Sequence, residues 1–414
     1  MKVLLSAYSC EPGKGSERGV GWNVVREIAR YHEVWVLTRP DESKAAIEAE
    51  LARNPVPNLH FVYFTLPLLG GLWRLGSSGA MQIHYYLWQI QAYFVARQLH
   101  QEIGFDVAHH VTFVKYSTPS FLSLLPIPFI WGPVGGGESA PAPFWKDFGW
   151  RARLYELARD AVRRLGEADP FVHLTARRSA VVRATTEDTA KCLYRMGVSS
   201  VQIVSESGLS KVEIERLGQF ELSERSPLRF ISIGRLLHWK GFHLGLQAFA
   251  AANLPDAEYW IVGDGAESDR LHQLAEQLQI TDRVKFWGQL DREEVLMRLG
   301  EAQVLVHPSL HDSGGWVCLE AMAAGRPVLC LNLGGPSVQV TEETGIRVAA
   351  QEPEQVVQDL ATAMRRLAFD APLRVRMGKA GRQRVQHHFT WEVSGKQVNQ
   401  LYTTLLKQEE RCIS

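Results

Sequence analysis

Residues 230–241 read Phe-Ile-Ser-Ile-Gly-Arg-Leu-Leu-His-Trp-Lys-Gly. The apolar run Phe230 to Ile233 ends at a glycine and follows a stretch, Glu206 to Arg229, that is rich in Ser, Glu, Gly and Arg and has no clean period. It therefore restarts a pattern after a break, and the pattern on either side decides the fold. Downstream, strand-like segments at Tyr259 to Val262, Val284 to Trp287, Val304 to Val306 and Val328 to Leu331 are each followed by a helical pattern. Upstream, the same alternation runs through Val3 to Ala7, Val34 to Leu37, Leu59 to Phe64, Val107 to His110, Pro128 to Trp131, Ala180 to Ala184 and Val201 to Val204. Strands alternating with helices imply right-handed β-α-β units on parallel sheets. The expected class is α/β, with two doubly wound domains.

The 414 residues are too many for one ordinary core, which agrees with two domains. The predicted boundaries are 1–205 for the first domain, 206–229 for a linker and 230–387 for the second. Within 388–414, Trp391, Val398, Leu401, Tyr402 and Leu405 recur at near-helical spacing, so this segment is expected to pack back on the first domain.

Lys plus Arg and Asp plus Glu both number 45, so no global field draws the chain onto nucleic acid, and any membrane contact must be local. The cysteines (Cys10, Cys192, Cys318, Cys330, Cys412) are scattered and form no Cys-x-x-Cys pair, which argues against a disulfide framework or a zinc knuckle and for a reducing cytoplasm. The N-terminus has only a short apolar run and reads as a first strand, not a signal peptide. Leu75 to Ala96 carries no charge but is interrupted by polar residues, with Ile83, Leu87, Ile90 and Phe94 on one helical face; it reads as an amphipathic helix, not a span. Tyr116 to Gly137 is broken by four prolines and is no span either.

Open α/β sheets bind ligands beyond the carboxyl ends of their strands, and the chemistry-bearing residues sit there. Arg235 and Lys240, framed by Gly234 and Gly241, offer a planar fork and a compact charge to a diphosphate. Residues 312–320, Asp-Ser-Gly-Gly-Trp-Val-Cys-Leu-Glu, place Asp312 and Glu320 across a turn. There the Gly314 and Gly315 backbone and the helix start at Trp316 would meet an anion or sugar hydroxyls. Glu320, amid Leu319 and Ala321 to Ala324, reads as a buried carboxylate able to take two donors from a ribose diol. The two stretches together read as a nucleotide-sugar site.

Three further segments belong to the first domain. Glu11 to Trp22 is glycine-rich, with Gly15 before a helix start, but fails both Gly-x-Gly-x-x-Gly and Gly-x4-Gly-Lys-Ser/Thr, which disfavours a dehydrogenase or a P-loop enzyme. His109 and His110 are neighbours at a strand end, so only one faces a cleft. Trp131 to Glu138 carries three consecutive glycines, with Gly136 and Glu138 suited to an acceptor, or alternatively a hinge. In the 144–183 segment, cations from Lys146 to Arg183 outnumber acids nine to five beside Phe144, Trp145, Phe148, Trp150 and Tyr155. That segment is either a peripheral contact with anionic lipid or an amphipathic surface helix.

The chain resembles the retaining glycosyltransferases of family 4, also called group 1, which have the GT-B fold: two Rossmann-like domains facing across a cleft. The resemblance is carried from about Phe230 to Ala349 by Gly-Arg-Leu-x3-Lys-Gly, Val262-Gly-Asp-Gly265, the acid-x7-Glu element and Gly334-Gly335-Pro336, and more loosely by the early glycine loop and Asp-Val-x-His. It implies a nucleotide-diphosphate sugar as donor substrate, no metal or other cofactor, and a glycan, glycolipid or lipid-linked oligosaccharide as acceptor. The second domain would bind the donor, with Gly15, Gly234 and Gly265 approaching it. Arg235 and Lys240 would hold the diphosphate, Glu320 the ribose, and Asp312 with Gly314 and Gly315 the sugar. Transfer would be front-face, with the departing diphosphate helping to deprotonate the acceptor. Two departures stand out. Asp312 replaces the family's usual Glu, and the family's second strand-end His is Val111 here, with His110 displaced by one. Competing readings are an epimerase or phosphorylase on the same fold, or a degenerate sugar-binding subunit motivated by Asp312.

Overall fold

The computed structural model describes residues 1–40, 43–66, 78–113, 115–221 and 227–413; residues 222–226 of the expected linker and 75–77 of the uncharged stretch lie outside the described residues. The chain divides into two compact units, one of 1–137, 159–206 and 391–414 and one of 138–158 and 207–390.

The first unit holds a parallel seven-stranded sheet in the order β3-β2-β1-β4-β5-β6-β7. The strands are β1 (Lys2–Ala7), β2 (Glu33–Thr38), β3 (Leu59–Tyr63), β4 (Val107–Thr112), β5 (Phe129–Val134), β6 (Val181–Ala184) and β7 (Gln202–Ile203). Strand pleating sends Val3, Leu5 and Ala7 to one apolar cluster and Leu4 and Tyr8 to another, so both faces of the sheet are covered. Helix α1 (Ser16–Ala29) covers one face with the C-terminal helix α15 (Trp391–Ile413), whose Val398, Tyr402 and Leu405 are buried among β1 and β4 residues. Helix α3 (Ser78–Ile103) covers the other. Its buried row is Tyr85, Trp88, Ala92 and Ala96, while Ile83, Ile90 and Phe94 are exposed. The apolar face read from the sequence is thus the outer one, because the wide rings of Tyr85 and Trp88 take the core.

The second unit holds a parallel six-stranded sheet in the order β10-β9-β8-β11-β12-β13. Its strands are β8 (Leu228–Ile233), β9 (Ala257–Val262), β10 (Val284–Gly288), β11 (Val304–His307), β12 (Val328–Leu331) and β13 (Gly345–Val348). The sequence pattern missed β13, an edge strand of four residues with Arg347 exposed in its middle.

Two segments depart from the expected boundaries. Residues 207–221, placed in the linker, carry helix α7 (Lys211–Gly218) with Ile214 and Leu217 buried in the second unit's core. A capping box between Ser210 and Glu213 starts that helix, a signal present in the sequence that a search for periodicity passed over. Residues 138–158, placed in the first domain, belong to the second unit because Phe144 and Phe148 bury themselves beside Leu236 and Phe242. Those two rings are therefore withdrawn from any lipid contact, and Trp145 is tied to the Ala140 carbonyl at 3.1 Å.

Candidate donor site of the second unit

In the six-stranded sheet the order reverses between β8 and β11, and ligands of open α/β sheets bind at such a reversal. The loops leaving these two strands are the two stretches singled out in the sequence. They are locked together: Gly241 has φ +67°, and a Cβ there would stand 2.0 Å from the Pro308 carbonyl oxygen. Gly334, at φ +54°, allows a similar approach to the Asp312 carbonyl, and the Gly335 N–H donates to that oxygen at 2.7 Å. Only glycine admits both the left-handed conformation and the contact.

The Arg235 guanidinium is exposed and makes no hydrogen bond or ion pair with another described residue. Gly234 and Gly265 brace its backbone. The Gly234 N–H donates to the Val262 carbonyl, and the Leu236 N–H donates to the Asp264 carbonyl in the turn that Gly265 completes. Lys240 is half-buried and donates to Asp312 Oδ2 at 2.5 Å. His307, at the end of β11, places Nε2 3.2 Å from the same oxygen, and Asp312 Oδ1 accepts from the Gly315 N–H at 3.1 Å. Burial alone would raise the Asp312 carboxyl, but His307 and Lys240 outweigh it and hold the group well below the usual carboxylate range.

One expectation is corrected here. The Gly315 N–H is not open to a ligand, because the Asp312 side chain bonds it. The Gly314 carbonyl, a different group from the N–H expected to meet a ligand, accepts from Ser207 Oγ at 2.7 Å and Gln339 Nε2 at 2.5 Å. The loop is thus a rigid, self-bonded turn before helix α11 (Trp316–Ala323).

Glu320 is 4% exposed, and its Oε1 lies 2.6 Å from the Arg292 guanidinium. Burial raises its carboxyl above the usual value, and Arg292 offsets only part of that. A ribose diol would have to share or replace this partner, which lies 28 residues away in the chain and carries no local mark of the pairing.

The first unit's strand ends are built differently. His109 Nε2 donates to the Gly132 carbonyl at 2.6 Å and Nδ1 meets the Tyr402 hydroxyl at 2.7 Å. Both ring nitrogens of His109 are thus bonded within the first unit. His110, on the opposite face, brings Nε2 to the Tyr85 hydroxyl at 2.9 Å and the Thr112 carbonyl at 3.1 Å, and its Nδ1 is buried without a partner. Gly15 is the residue before α1, with open space around it. The Gly136 carbonyl accepts from Arg163 at 3.5 Å, and Glu138 is buried in the second unit.

The sequence also missed a cluster beside Lys240 and Asp312. Glu156, fully buried, lies 2.9 Å from His238 Nε2 and 3.3 Å from His311 Nε2. Tyr155, Trp239 and His311 stack in succession at 5.3 and 5.1 Å. His238 and His311 stand within two residues of Lys240 and Asp312, a proximity that could have flagged them; nothing local marks Glu156.

Residues 214–384 match the model of the family described as "Glycosyl transferases group 1". Over 188 residues the chain is 31% identical to glycogen synthase of Mycobacterium tuberculosis, covering 45% of this chain and 44% of that one. It is 34% identical over 163 residues to the lipopolysaccharide core biosynthesis glycosyltransferase LpsE of Rhizobium meliloti (39% and 46% covered), and 30% over 245 residues to D-inositol 3-phosphate glycosyltransferase of Corynebacterium glutamicum (54% and 57%). The chain thus spans about half the length of these curated relatives. Among solved structures, Anabaena HepE in complex with UDP superposes with a TM-score of 0.61 at 18% identity, covering 98% of this chain and all of the other. Sucrose-phosphate synthase of Thermosynechococcus elongatus gives 0.60 at 20% identity, covering 98% and 99%. Residues 214–384 therefore carry the group 1 glycosyl transferase region, within a chain whose two parallel sheets have the GT-B fold.

Proposed function

We propose that the chain is a retaining glycosyltransferase that moves a hexosyl group from a nucleotide-diphosphate sugar to a glycan, glycolipid or lipid-linked acceptor, without a metal ion. The observation that carries this reading lies at the sheet reversal: an exposed guanidinium that bonds no other described residue, five residues before a lysine clamped by an aspartate held well below the usual carboxylate range. An incoming diphosphate would take the fork of Arg235 directly and draw Lys240 between its own oxygens and Asp312. Charge developing on the leaving oxygen would then be met by two cations, of which Lys240 is already held in place, the kind of arrangement that contributes most in electrostatic catalysis. Asp312, ionised and held by the Gly315 N–H, would keep Lys240 oriented while the departing diphosphate accepts the acceptor proton. Two of the curated relatives are named for glycogen synthesis and lipopolysaccharide core biosynthesis, which supports a glycan or glycolipid acceptor here, whereas the third is named for D-inositol 3-phosphate. A membrane-borne acceptor would bring the chain to the inner face of a membrane.

The test is the double variant Arg235→Ala/Lys240→Ala, assayed for donor turnover with circular dichroism as the control for folding. Turnover is expected to fall to background with the spectrum intact. Near-normal turnover would end the proposal. Complete conversion of the donor without any acceptor would point instead to an epimerase.

A further inference from the structure

Helix α4 (Trp150–Glu167) is inside out. In a surface helix of a globular domain the apolar stripe faces the core and the charges face water. Here Trp150, Leu154, Leu157 and Leu165 are 71, 59, 57 and 72% exposed, and Ala158 and Ala161 between them are exposed too. At 100° per residue these side chains fall within one stripe on a single uninterrupted helix about 27 Å long. The acids turn the other way: Glu156 is fully buried against His238, and Asp160 pairs with Arg163 at 3.1 Å. Arg151 and Arg164, both exposed, stand on opposite edges of the stripe, and Arg151 lies 5.2 Å from the Trp150 ring centroid.

We propose that this face of α4 docks on an anionic lipid surface. An interfacial helix needs an apolar face to enter the boundary between headgroups and acyl chains, with cations at its margins to meet anionic headgroups. Both are present, and no acid lies on the outward stripe. The outer row of α3, with Ile83, Ile90 and Phe94 exposed, is the rival apolar surface, but no cation lies between Leu75 and Ala96 to select an anionic bilayer. The helix is too short and too charged to cross, and among the described residues no helix is long and apolar enough to do so. The purpose of the surface rests on the reading of a membrane-borne acceptor. Its existence does not, because vesicle binding is measured without donor or acceptor.

The experiment is co-sedimentation of the full chain with phosphatidylcholine vesicles, with and without phosphatidylglycerol. Binding to the anionic vesicles is expected, weakened by added salt. Trp150→Glu/Leu154→Glu/Leu165→Glu should weaken it about tenfold or more while donor turnover in solution is kept, and Ile83→Glu/Phe94→Glu should leave it unchanged. Three results would overturn the proposal: no binding of the native chain, equal loss in the α3 variant, or a dimer in solution that the α4 variant dissociates, which would assign the face to a second copy.

Discussion

The strand ends of the two sheets use polar residues to opposite purposes. In the first unit, His109 and His110 are buried to 1% exposure; both ring nitrogens of His109 find partners, and Nε2 of His110 meets a tyrosine and a carbonyl while its Nδ1 has no partner among the described residues. In the second unit, Arg235 is exposed with no partner among the described residues and Lys240 is half-buried on an aspartate. A polar group satisfied by its own unit stabilises that unit, whereas one left at the surface or clamped to a counter-charge is available to a ligand. On the proposed reading the histidines would serve stability and the cations a ligand, and the contrast can be broken at several points.

The largest effect is expected at Lys240. Lys240→Met should lower kcat by about 10² to 10³, the usual cost of removing one fixed donor to a developing negative charge. Thermal unfolding should show a lesser loss, since Asp312 keeps His307 and the Gly315 N–H. Steady-state kinetics beside a melting curve would decide it, and a kcat within a few fold of the native value would dissolve the contrast between the units.

The histidines should answer to pH instead. Burial lowers His109 to about 3 and His110 to about 4, from an ordinary value of 6.5. The unfolded chain therefore binds protons that the folded chain refuses. Their contribution is intact above pH 6.5 and declines as pH falls toward the folded values, by about 1.4 kcal/mol per pH unit for each histidine. Urea midpoints at pH 7 and pH 5 should differ accordingly, and His109→Phe should flatten that dependence without a selective effect on KM for the donor. A raised KM at unchanged stability would return His109 to the ligand.

Much of this was legible in the sequence, for particular reasons. Strands β8 and β11 and their loops could be read because glycines such as Gly241 and Gly334, which the backbone requires, sit at fixed spacing from the charges. The aim of the charges could not. That Asp312 would hold Lys240 depends on loops meeting across 72 residues of chain, and Glu156 reaches His238 across 82. The 144–183 segment was read as basic and aromatic, but which rings enter the core is decided by packing: Phe144 and Phe148 enter it and Trp150 does not.

The smallest expected effect compares two carboxylates within the second unit. Asp312 lies below the ordinary carboxylate range, so its contribution is present above about pH 4 and is lost as pH falls below that. Glu320 lies above its ordinary value, burial outweighing Arg292, so its charged form costs stability above that value and the cost shrinks as pH falls. Removing Arg292 takes away the offsetting partner. Because Arg292 is half exposed, Arg292→Ala should cost only about 1 to 2 kcal/mol at pH 7, at the lower end of hydrogen bonds to charged groups and discounted for solvent screening. The deficit should narrow as pH falls toward 5, where Glu320 takes up a proton more readily than the unfolded chain does. Chemical denaturation of the native chain and the variant across that interval measures both sign and size. A deficit that widens on acidification would mean that Glu320 is stabilised as a carboxylate by something other than Arg292, and its availability to a ribose would have to be argued from that partner instead.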